Sequence, residues 1–552
     1  MKYRSPIIAV FLVFACTPMQ SGVAPAAPQI SAARLAEDVR TVSSDAYLGR
    51  GPATRGEELA TSYIRDQLKA AGLQPGGPNG SWFQDVPLLM SNIVGAPSLS
   101  VNVNGNVVPL TQGQEVAVRA SMQSVDRVDI KDAPIVFLGY GVKAPERNWD
   151  DYKGVDLKGK VGLVLINDPD FETGQGDFGG KAMTYYGRWT YKYEEAARQG
   201  LAGMLVVHET APASYGWPTV KNSNTNTMFD IVRANPSESH PPLEGWVQHD
   251  DAVRLLRAVG QDYEALKKLA QTREFRPVTL AGATFSANYQ VKQQVIHSKN
   301  VLGRLPGRSH PEETILIGGH WDHLGVGAPD ARGDTIYNGA IDNGTGIASV
   351  LELARVFAAS PRTERSIVFA FWTAEEKGLM GSEYYASNPV YPLDKTVAGF
   401  NIDALSADGP AHDMLVIGSG QSELEDWLVK VLAADHRVMT PDANPEAGYF
   451  YRSDHFPMAK RGVPMLYIDS GIDLLSGGTT AGKAADAAYR KDKYHQPADE
   501  FDAASWNFGG IVQDLSVLQR LITPLANSRE WPNYRATSEF RPVRDKTAAS
   551  RH

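Results

Sequence analysis

From Asn300 onwards the chain alternates between short apolar segments and segments with a helical period. The pattern predicts strands at 314–317, 366–371 and 465–468, and helices at 346–359, 381–386 and 423–434. Such alternation is typical of an α/β domain in which helices flank a mixed, mainly parallel central sheet. Ligands of these sheets bind beyond the carboxyl ends of the strands, so functional side chains are expected where the predicted strands end.

The length of the chain predicts more than one domain, because 552 residues exceed one ordinary core. Residues 130–280 carry short strands with few helices and are interpreted as a smaller β-rich insert. This insert divides the α/β domain into residues 31–129 and 281–528. Residues 529–552 hold six basic and three acidic residues without an apolar period, which predicts a disordered tail.

The first sixteen residues have the pattern of an export signal. Lys2 and Arg4 precede the apolar run 7–15, which is followed by Cys16, the one cysteine of the sequence. This position predicts a lipidated Cys16 and a periplasmic or outer-membrane lipoprotein, with a linker at 17–30. The alternative is a secreted protein whose simple signal peptide is cleaved near 23–27.

The composition argues against one broad class of function. Hydrophobic residues make up 43% and charged residues 21% of the chain, which is ordinary for a globular protein. The net charge of -9 disfavours a general nucleic-acid binder, since such a protein needs a basic face. No nucleic-acid partner is therefore expected.

Side chains that bind metals follow three apolar segments. They are His320 after 314–317, Glu375 and Glu376 after 366–371, and Asp403 after 397–402. The carboxyl ends of parallel strands meet at one edge of a sheet, so these groups are expected to lie close together. Because zinc accepts imidazole nitrogen and carboxylate oxygen, the sequence predicts a zinc site at that edge.

The chemistry of such a site suggests further assignments. Two neighbouring zinc ions need a bridging carboxylate, and Asp342 in the glycine-rich turn 338–344 is the candidate. Asp322, two residues after His320, is placed to orient that imidazole. The adjacent charges of Glu375 and Glu376 would repel each other in a purely structural turn, whereas one base and one ligand would explain both.

Five motifs occur in a fixed order along the chain. They are G-H-W-D-H at 319–323, N-G-A-I-D-N at 338–343, A-E-E-K-G-L-M-G-S at 374–382, N-I-D at 401–403 and Y-H-Q-P-A-D at 494–499. Together they resemble the co-catalytic dizinc exopeptidases of metallopeptidase family 28, in the bacterial aminopeptidase branch. The resemblance covers about residues 35–125 and 285–525, and residues 130–280 resemble the protease-associated insert of several members.

The resemblance implies a metal-binding role for each matching residue. His320 and Asp403 would bind one zinc ion. Glu376 and His495 would bind the other, and Asp342 would bridge the two. The cofactor expected from the resemblance is therefore two Zn²⁺ ions per chain.

The resemblance also implies an activity, hydrolysis of N-terminal residues from peptide substrates. Glu375 would be the general base that takes a proton from the attacking water, and Asp322 would orient His320. His323 either lines the site or is a supporting or surface histidine. These roles define a metallo-exopeptidase of the aminopeptidase type.

Two further residues are candidates for contacts with substrate. His455 lies in the segment 452–457, which matches a family segment near the substrate pocket. A helix cap by Ser453 or Asp454 explains that segment equally well. Tyr451 is a candidate donor to an oxyanion.

Several alternative functions stay open at this point. They are a carboxypeptidase-type relative, a glutaminyl-cyclase-type relative and a non-catalytic binding homologue. The complete set of five ligands and a base favours hydrolysis over the last two. A His-Glu-x-x-His protease is disfavoured because no second histidine follows His208-Glu209, and the chain has no Gly-x-Ser-x-Gly motif of a serine hydrolase.

Overall fold

The computed structural model describes Met1 and residues 28–551 of the chain. The predicted export signal with Cys16, and the linker up to residue 27, lie outside these residues. Within the described part, no helix is long and apolar enough to cross a membrane.

The strands and helices of the described residues follow one another in a mixed order. The strands are β1 (Gln74–Pro75), β2 (Phe83–Val103), β3 (Asn106–Leu110), β4 (Val116–Val118), β5 (Arg127–Phe137), β6 (Lys143–Ala144), β7 (Trp149–Asp150), β8 (Val161–Leu165), β9 (Gly203–His208), β10 (Met228–Ile231), β11 (Leu243–Gln248), β12 (Val278–Leu305), β13 (His310–His320), β14 (Gly325–Val326), β15 (Ile336–Tyr337), β16 (Arg365–Trp372), β17 (Thr396–Ile402), β18 (Asp413–Ile417), β19 (Val438–Pro441) and β20 (Met465–Asp469). The α-helices are α1 (Ala32–Val42), α2 (Arg55–Ala70), α3 (Trp189–Arg198), α4 (Thr210–Ala213), α5 (Trp217–Asn224), α6 (His249–Ala258), α7 (Tyr263–Ala270), α8 (Gly346–Ala359), α9 (Met380–Ser387), α10 (Leu424–Ala434), α11 (Phe456–Lys460), α12 (Gly478–Asp492), α13 (Gly509–Ala526) and α14 (Arg541–Asp545).

A large mixed sheet runs through the molecule in the order β19-β18-β20-β17-β13-β16-β12-β5-β8-β9-β11-β4. The pairs β20–β17, β17–β13 and β13–β16 are parallel, and so are β5–β8, β8–β9 and β9–β11. Helices cover this sheet, which confirms the predicted α/β class. The predicted strands and helices after residue 300 are all present, with ends shifted by a few residues.

The central parallel strands carry mainly apolar side chains in their middle positions, so both of their faces are buried. In β13, Ile315 and Ile317 point to a core that includes α1, α2, α8, α10 and α13. Leu316 points to the opposite face, into a second core that includes α9 and α11. The alternation along one strand therefore supplies both layers of the domain.

The insert has a hydrophobic core of its own but shares the sheet with the rest of the chain. The long strand β12 pairs with β16 near its end and with β5 and β2 before that. The core of the insert also takes in Leu99, Val116 and Phe285, which lie outside the predicted range 130–280. This core therefore extends beyond the predicted insert on both sides.

The C-terminal segment differs from the disordered tail that the sequence predicts. Residues 529–551 carry α14 and pack on the α/β domain. Tyr534, Phe540 and Arg544 are all buried, and Arg544 donates hydrogen bonds to the carbonyls of Thr396 and Val397. A few isolated aromatic anchors hold this segment, so it shows no apolar period.

Candidate metal centre

The predicted ligands converge at the carboxyl edge of the parallel strands. His320 is the last residue of β13, and Asp403 directly follows β17. Glu376 lies in the short turn after β16. Asp342 lies in the buried turn Ala340–Thr345 that leads into α8, and His495 follows α12. Loops that follow neighbouring strands thus bring most of the five predicted ligands close together.

One group of donors consists of His320, Asp342 and Asp403. Nε2 of His320 lies 3.2 Å from Oδ1 of Asp342 and 3.1 Å from Oδ1 of Asp403. One ligand atom from each residue lies within 4.8 Å of the others. This group could hold one metal ion.

A second group consists of His323, Asp342 and Glu376, again with one atom of each within 4.8 Å of the others. Nδ1 of His323 lies 2.6 Å from Oε1 of Glu376. Nε2 of His495 lies 3.1 Å from Oε2 of Glu376 and 3.2 Å from Oδ2 of Asp342. One carboxylate oxygen of Asp342 therefore faces each group, as expected of a carboxylate that would bridge two metal ions.

The second group contains a histidine to which the sequence assigns no definite role. His323 is fully buried, and its Nε2 has no hydrogen-bond partner among residues 28–551. The side chain of His495 is 36% exposed and its ring stacks on Tyr494 at 3.9 Å between centroids. His495 thus reaches the site from its open side, whereas His323 reaches it from within.

Glu375 lies beside the two groups and shares no ion pair with them. Its main-chain N–H donates to Oδ1 of Asp322 at 3.1 Å. Burial raises the pKa of the Glu375 carboxyl well above its usual range, and Asp403 and Glu376 add to this rise against the opposing effect of His320. A buried carboxyl with a raised pKa next to ligand carboxylates is suited to exchange a proton.

Asp322 contacts His320 on the side away from the acidic cluster. Nδ1 of His320 lies 3.1 Å from the main-chain oxygen of Asp322 and 3.8 Å from its Oδ1. Burial raises the pKa of Asp322 to about 6, partly offset by His320. The contact fixes the ring so that Nε2 faces Asp342 and Asp403.

Other side chains hold the ligands in place without being ligands. Ser453 donates to Oδ2 of Asp403 at 2.6 Å and accepts from the amide of Asn401. Asp499 accepts the main-chain N–H groups of Ile341 and Asp342. The Y-H-Q-P-A-D motif contains Asp499, but no local pattern in the sequence signals its hydrogen bonds to a turn more than 150 residues away.

Arg50 is the supporting residue that sequence reasoning missed altogether. It is fully buried and donates to the carbonyls of Trp321, Asn338 and Gly339, within the two loops that carry the ligands. Burial lowers its pKa to about 10. A single arginine in Gly49-Arg50-Gly51 carries no signal of this role.

The two candidate substrate residues make their contacts with side chains other than the predicted ligands. His455 is fully buried between the rings of Phe450 and Tyr467, at 4.5 and 4.8 Å between centroids. The hydroxyl of Tyr451 donates to Oε1 of Glu539 at 2.7 Å. Neither residue forms a hydrogen bond or ion pair with the five predicted ligands, so their contact with substrate stays a prediction.

Residues 300–518 match the family model described as "Peptidase family M28". The chain is 31% identical over 474 residues to "Aminopeptidase NAALADL1" of Mus musculus, which covers 72% of the chain and 57% of that protein. It is 26% identical over 282 residues to "Probable lipoprotein aminopeptidase LpqL" of Mycobacterium tuberculosis, covering 46% of the chain and 53% of that protein. The chain thus spans somewhat over half the length of these two relatives.

Among solved structures, the chain is similar to "Aminopeptidase from Aneurinibacillus sp. strain AM-1", with 17% identity and a TM-score of 0.48. That alignment covers 90% of this chain and 93% of the other. The family match at 300–518 spans all five predicted ligands and Glu375. The region that carries the candidate metal centre therefore matches peptidase family M28.

Proposed function

We propose that this protein is a zinc-dependent aminopeptidase that removes N-terminal residues from peptides with the help of two zinc ions. The observation that carries the proposal is the pair of donor groups that share Asp342, with the buried carboxyl of Glu375 beside them. The match of residues 300–518 to family M28 supports a peptidase, and the names of the relatives support the aminopeptidase type.

The donor set fits zinc, because it consists of imidazole nitrogens and carboxylate oxygens. His320 and Asp403 would hold one ion, Glu376 and His495 the other, and Asp342 both. The buried Nε2 of His323 has no partner in the described residues, so His323 is an additional candidate at the second position. Bound zinc supplies a lower pKa for the attacking water and positive charge opposite the scissile carbonyl oxygen.

Side chains of the protein transfer the proton and hold the metal ligands in position. Glu375 accepts the proton of the attacking water and passes it to the leaving amine. Asp322 holds the ring of His320, and Ser453 holds the carboxylate of Asp403 through its 2.6 Å hydrogen bond. Because both supports are buried, the ligands stay oriented without a rearrangement during turnover.

A substrate panel with metal analysis tests this proposal. The purified protein should contain two zinc ions per chain and hydrolyse leucine p-nitroanilide but not its N-acetylated form. Removal of zinc should abolish the activity and re-addition should restore it. Fewer than one zinc per chain, with no activity after zinc is added, would show that the protein is not this enzyme. A preference for N-blocked peptides would indicate the carboxypeptidase type.

We also propose that the protein is exported and anchored to a membrane through a lipid on Cys16. The basic start, the apolar run 7–15 and Cys16 support this proposal, and so does the name of the mycobacterial relative. In the native host the protein should be found in the membrane fraction, and Cys16→Ser should move it to the soluble fraction. An unchanged distribution would contradict lipid anchoring.

A further inference from the structure

Asp469 is an acidic residue at the carboxyl edge of the parallel strands to which the proposed mechanism gives no role. It is the last residue of β20, which pairs in parallel with β17. Ile468 lies opposite Ile402 in that pairing, so Asp469 lies beside the proposed ligand Asp403 on the neighbouring strand. Because paired strands are only about 4.8 Å apart, Asp469 and the candidate metal centre share one edge of the sheet.

Tyr467 connects Asp469 to the candidate metal centre. It lies two positions earlier in β20, so the two side chains lie on the same face of the strand. Burial raises the pKa of the Tyr467 hydroxyl well above its usual range, and the charges of Asp403, Asp469 and Glu375 add to that rise. Charge effects weaken with distance, so the carboxylates of Asp469 and of the proposed base Glu375 both lie near this hydroxyl.

The carboxylate of Asp469 has no cationic partner in the described part of the chain. Its Oδ1 accepts the main-chain N–H of Ser470 at 2.6 Å, and it forms no ion pair with residues 28–551. Other carboxylates at this edge have side-chain partners, since Glu376 contacts two histidines and Asp403 accepts from Ser453. Asp469 is also partly exposed, so a cation from outside the protein can reach it.

The charges around Asp469 favour the approach of a further cation. Burial raises the pKa of Asp469 to about 7, and Asp486 and Asp403 add to this rise, whereas the N–H of Ser470 and the charge of Arg490 oppose it. Arg490 is itself paired with Asp486, with Nε 2.8 Å from Oδ1. The positive charge of Arg490 is thus largely used by that pair. A cation placed beside Asp469 would therefore be stabilised.

The place of Asp469 in the sheet distinguishes between the cations that a peptide substrate can present. The α-ammonium group is separated from the scissile carbonyl by a single carbon atom, so it has to stay beside the metal ligands. In the strand order β20-β17-β13, Asp469 lies one strand further from His320 than Asp403 does. A long cationic side chain of the substrate can span that extra distance, whereas the α-ammonium group would have to leave the metal ligands.

We propose that Asp469 binds the cationic side chain of an N-terminal lysine or arginine, so that the protein prefers peptides with a basic N-terminal residue. A carboxylate binds ammonium and guanidinium groups through charge-assisted hydrogen bonds, which are stronger than those between neutral groups. This inference rests on the proposed aminopeptidase function and assigns that function a substrate class.

Two matched substrates test the inference with the zinc-loaded protein. Lysine p-nitroanilide and norleucine p-nitroanilide have the same carbon chain, and only the lysine side chain ends in an ammonium group. We expect kcat/KM to be at least about tenfold higher for the lysine substrate, because only its ammonium group can bind the carboxylate of Asp469. Arginine p-nitroanilide should be preferred to norleucine p-nitroanilide in the same way. Equal kcat/KM values for lysine and norleucine would overturn the inference.

Variants then locate the preference. Asp469→Asn should remove it and leave the turnover of norleucine p-nitroanilide nearly unchanged, whereas Asp469→Glu should retain part of it. Asp426→Asn is the matched control, because it removes an exposed carboxylate where α10 begins. That point lies at the opposite edge of the sheet, since β18 runs antiparallel to β20. An equal loss of preference in the control would contradict the assignment. An equal loss of turnover for both substrates in Asp469→Asn would place the carboxylate at the α-ammonium group and overturn it.

Binding without turnover separates this outcome from that of the proposed function. In calorimetry, zinc-loaded Glu375→Ala should bind Lys-Ala more tightly than norleucyl-alanine, and the addition of Asp469→Asn should remove the difference. Hydrolysis of both anilides without a preference would leave the aminopeptidase proposal standing and overturn the role of Asp469. Tighter binding of Lys-Ala by a protein that hydrolyses neither anilide would support Asp469 and contradict the aminopeptidase. Melting temperature and zinc content check each variant, and if Asp469→Asn does not fold, the two substrates and Asp469→Glu still decide the question.

Discussion

Asp342 is the residue on which the candidate metal centre depends most. Its Oδ1 faces His320 and its Oδ2 faces His495, each at 3.2 Å. Asp499 fixes the turn that presents it, by accepting two main-chain N–H groups. The turn is buried, so the carboxylate has little freedom to leave this position.

Replacement of Asp342 should therefore affect both metal positions. We expect Asp342→Ala to lose at least one of the two zinc ions and nearly all activity, because the shared ligand is removed. Metal analysis after dialysis measures the loss. Asp156→Ala, which removes an exposed carboxylate of the insert, should retain both ions. Two zinc ions in Asp342→Ala would contradict the bridging role.

Residues whose side chains would bind metal were easier to predict from the sequence than residues whose side chains bond to main-chain atoms. His320 and Asp403 follow apolar strands, and the five motifs include every proposed ligand. Arg50 contributes through bonds to main-chain carbonyls, which need no particular partner residue. Such a role leaves no pattern that spacing or composition could reveal.

At the scale of elements, a buried ionic cluster ties two strands of the insert together. His240 lies between Asp230 of β10 and Glu244 of β11, with Nε2 and Nδ1 at 2.9 and 2.7 Å from their oxygens. Arg233 faces Asp230, and Arg119 faces Glu244. Burial lowers the pKa of His240, but the two carboxylates outweigh it and raise the pKa to about 9.

The raised pKa predicts a pH-dependent contribution to stability. The pKa of His240 in the folded protein lies above its unfolded value of about 6.5. The stabilisation by the protonated imidazole is therefore fully present below pH 6.5 and is lost as the pH rises through 9. We expect His240→Gln to lower the free energy of unfolding by up to about 3 kcal/mol at pH 6 and by little at pH 10. Urea unfolding at both pH values measures this. An equal loss at the two pH values would contradict the linkage.

The C-terminal segment is a second element whose packing has a measurable consequence. Phe540 is buried and lies 5.4 Å from Tyr534 and 6.0 Å from Phe450 between ring centroids. Glu539 accepts hydrogen bonds from Tyr185 of the insert and from Tyr451. The segment thus connects the insert to the loop that precedes Ser453.

Removal of the aromatic anchor should destabilise the protein. We expect Phe540→Ala to lower the free energy of unfolding by about 3 kcal/mol, since a large buried ring leaves a cavity. Lys546→Ala, which changes an exposed side chain of the same segment, should be close to neutral. A Phe540→Ala protein as stable as the parent would indicate that the segment is not packed in solution.

At the scale of the molecule, the α/β class was predictable because long, buried parallel strands have a distinctive apolar pattern. The extent of the insert was less predictable. Strand β12 contributes residues both to the core of the insert and to the core of the α/β domain. It is one continuous strand of 28 residues, so no break in the sequence marks where the insert ends. Isolated anchors such as Tyr534 hold the C-terminal segment, and isolated anchors do not produce a periodic signal.

The central claim for the whole molecule is that neighbouring glutamates have separate roles. Glu376 contacts His323 and His495 and would bind metal, whereas Glu375 forms no ion pair in the described part of the chain and would move the proton. The account therefore separates metal binding from turnover at adjacent positions. A substitution of Glu375 tests this separation directly.

The decisive measurement is zinc content together with turnover of leucine p-nitroanilide in Glu375→Ala. The account predicts two zinc ions per chain and a kcat reduced about 100-fold or more, because the base is lost and no ligand is removed. Asp156→Ala, at an exposed carboxylate of the insert, should match the parent in both respects. Near-normal turnover in Glu375→Ala, or loss of zinc together with activity, would contradict the account.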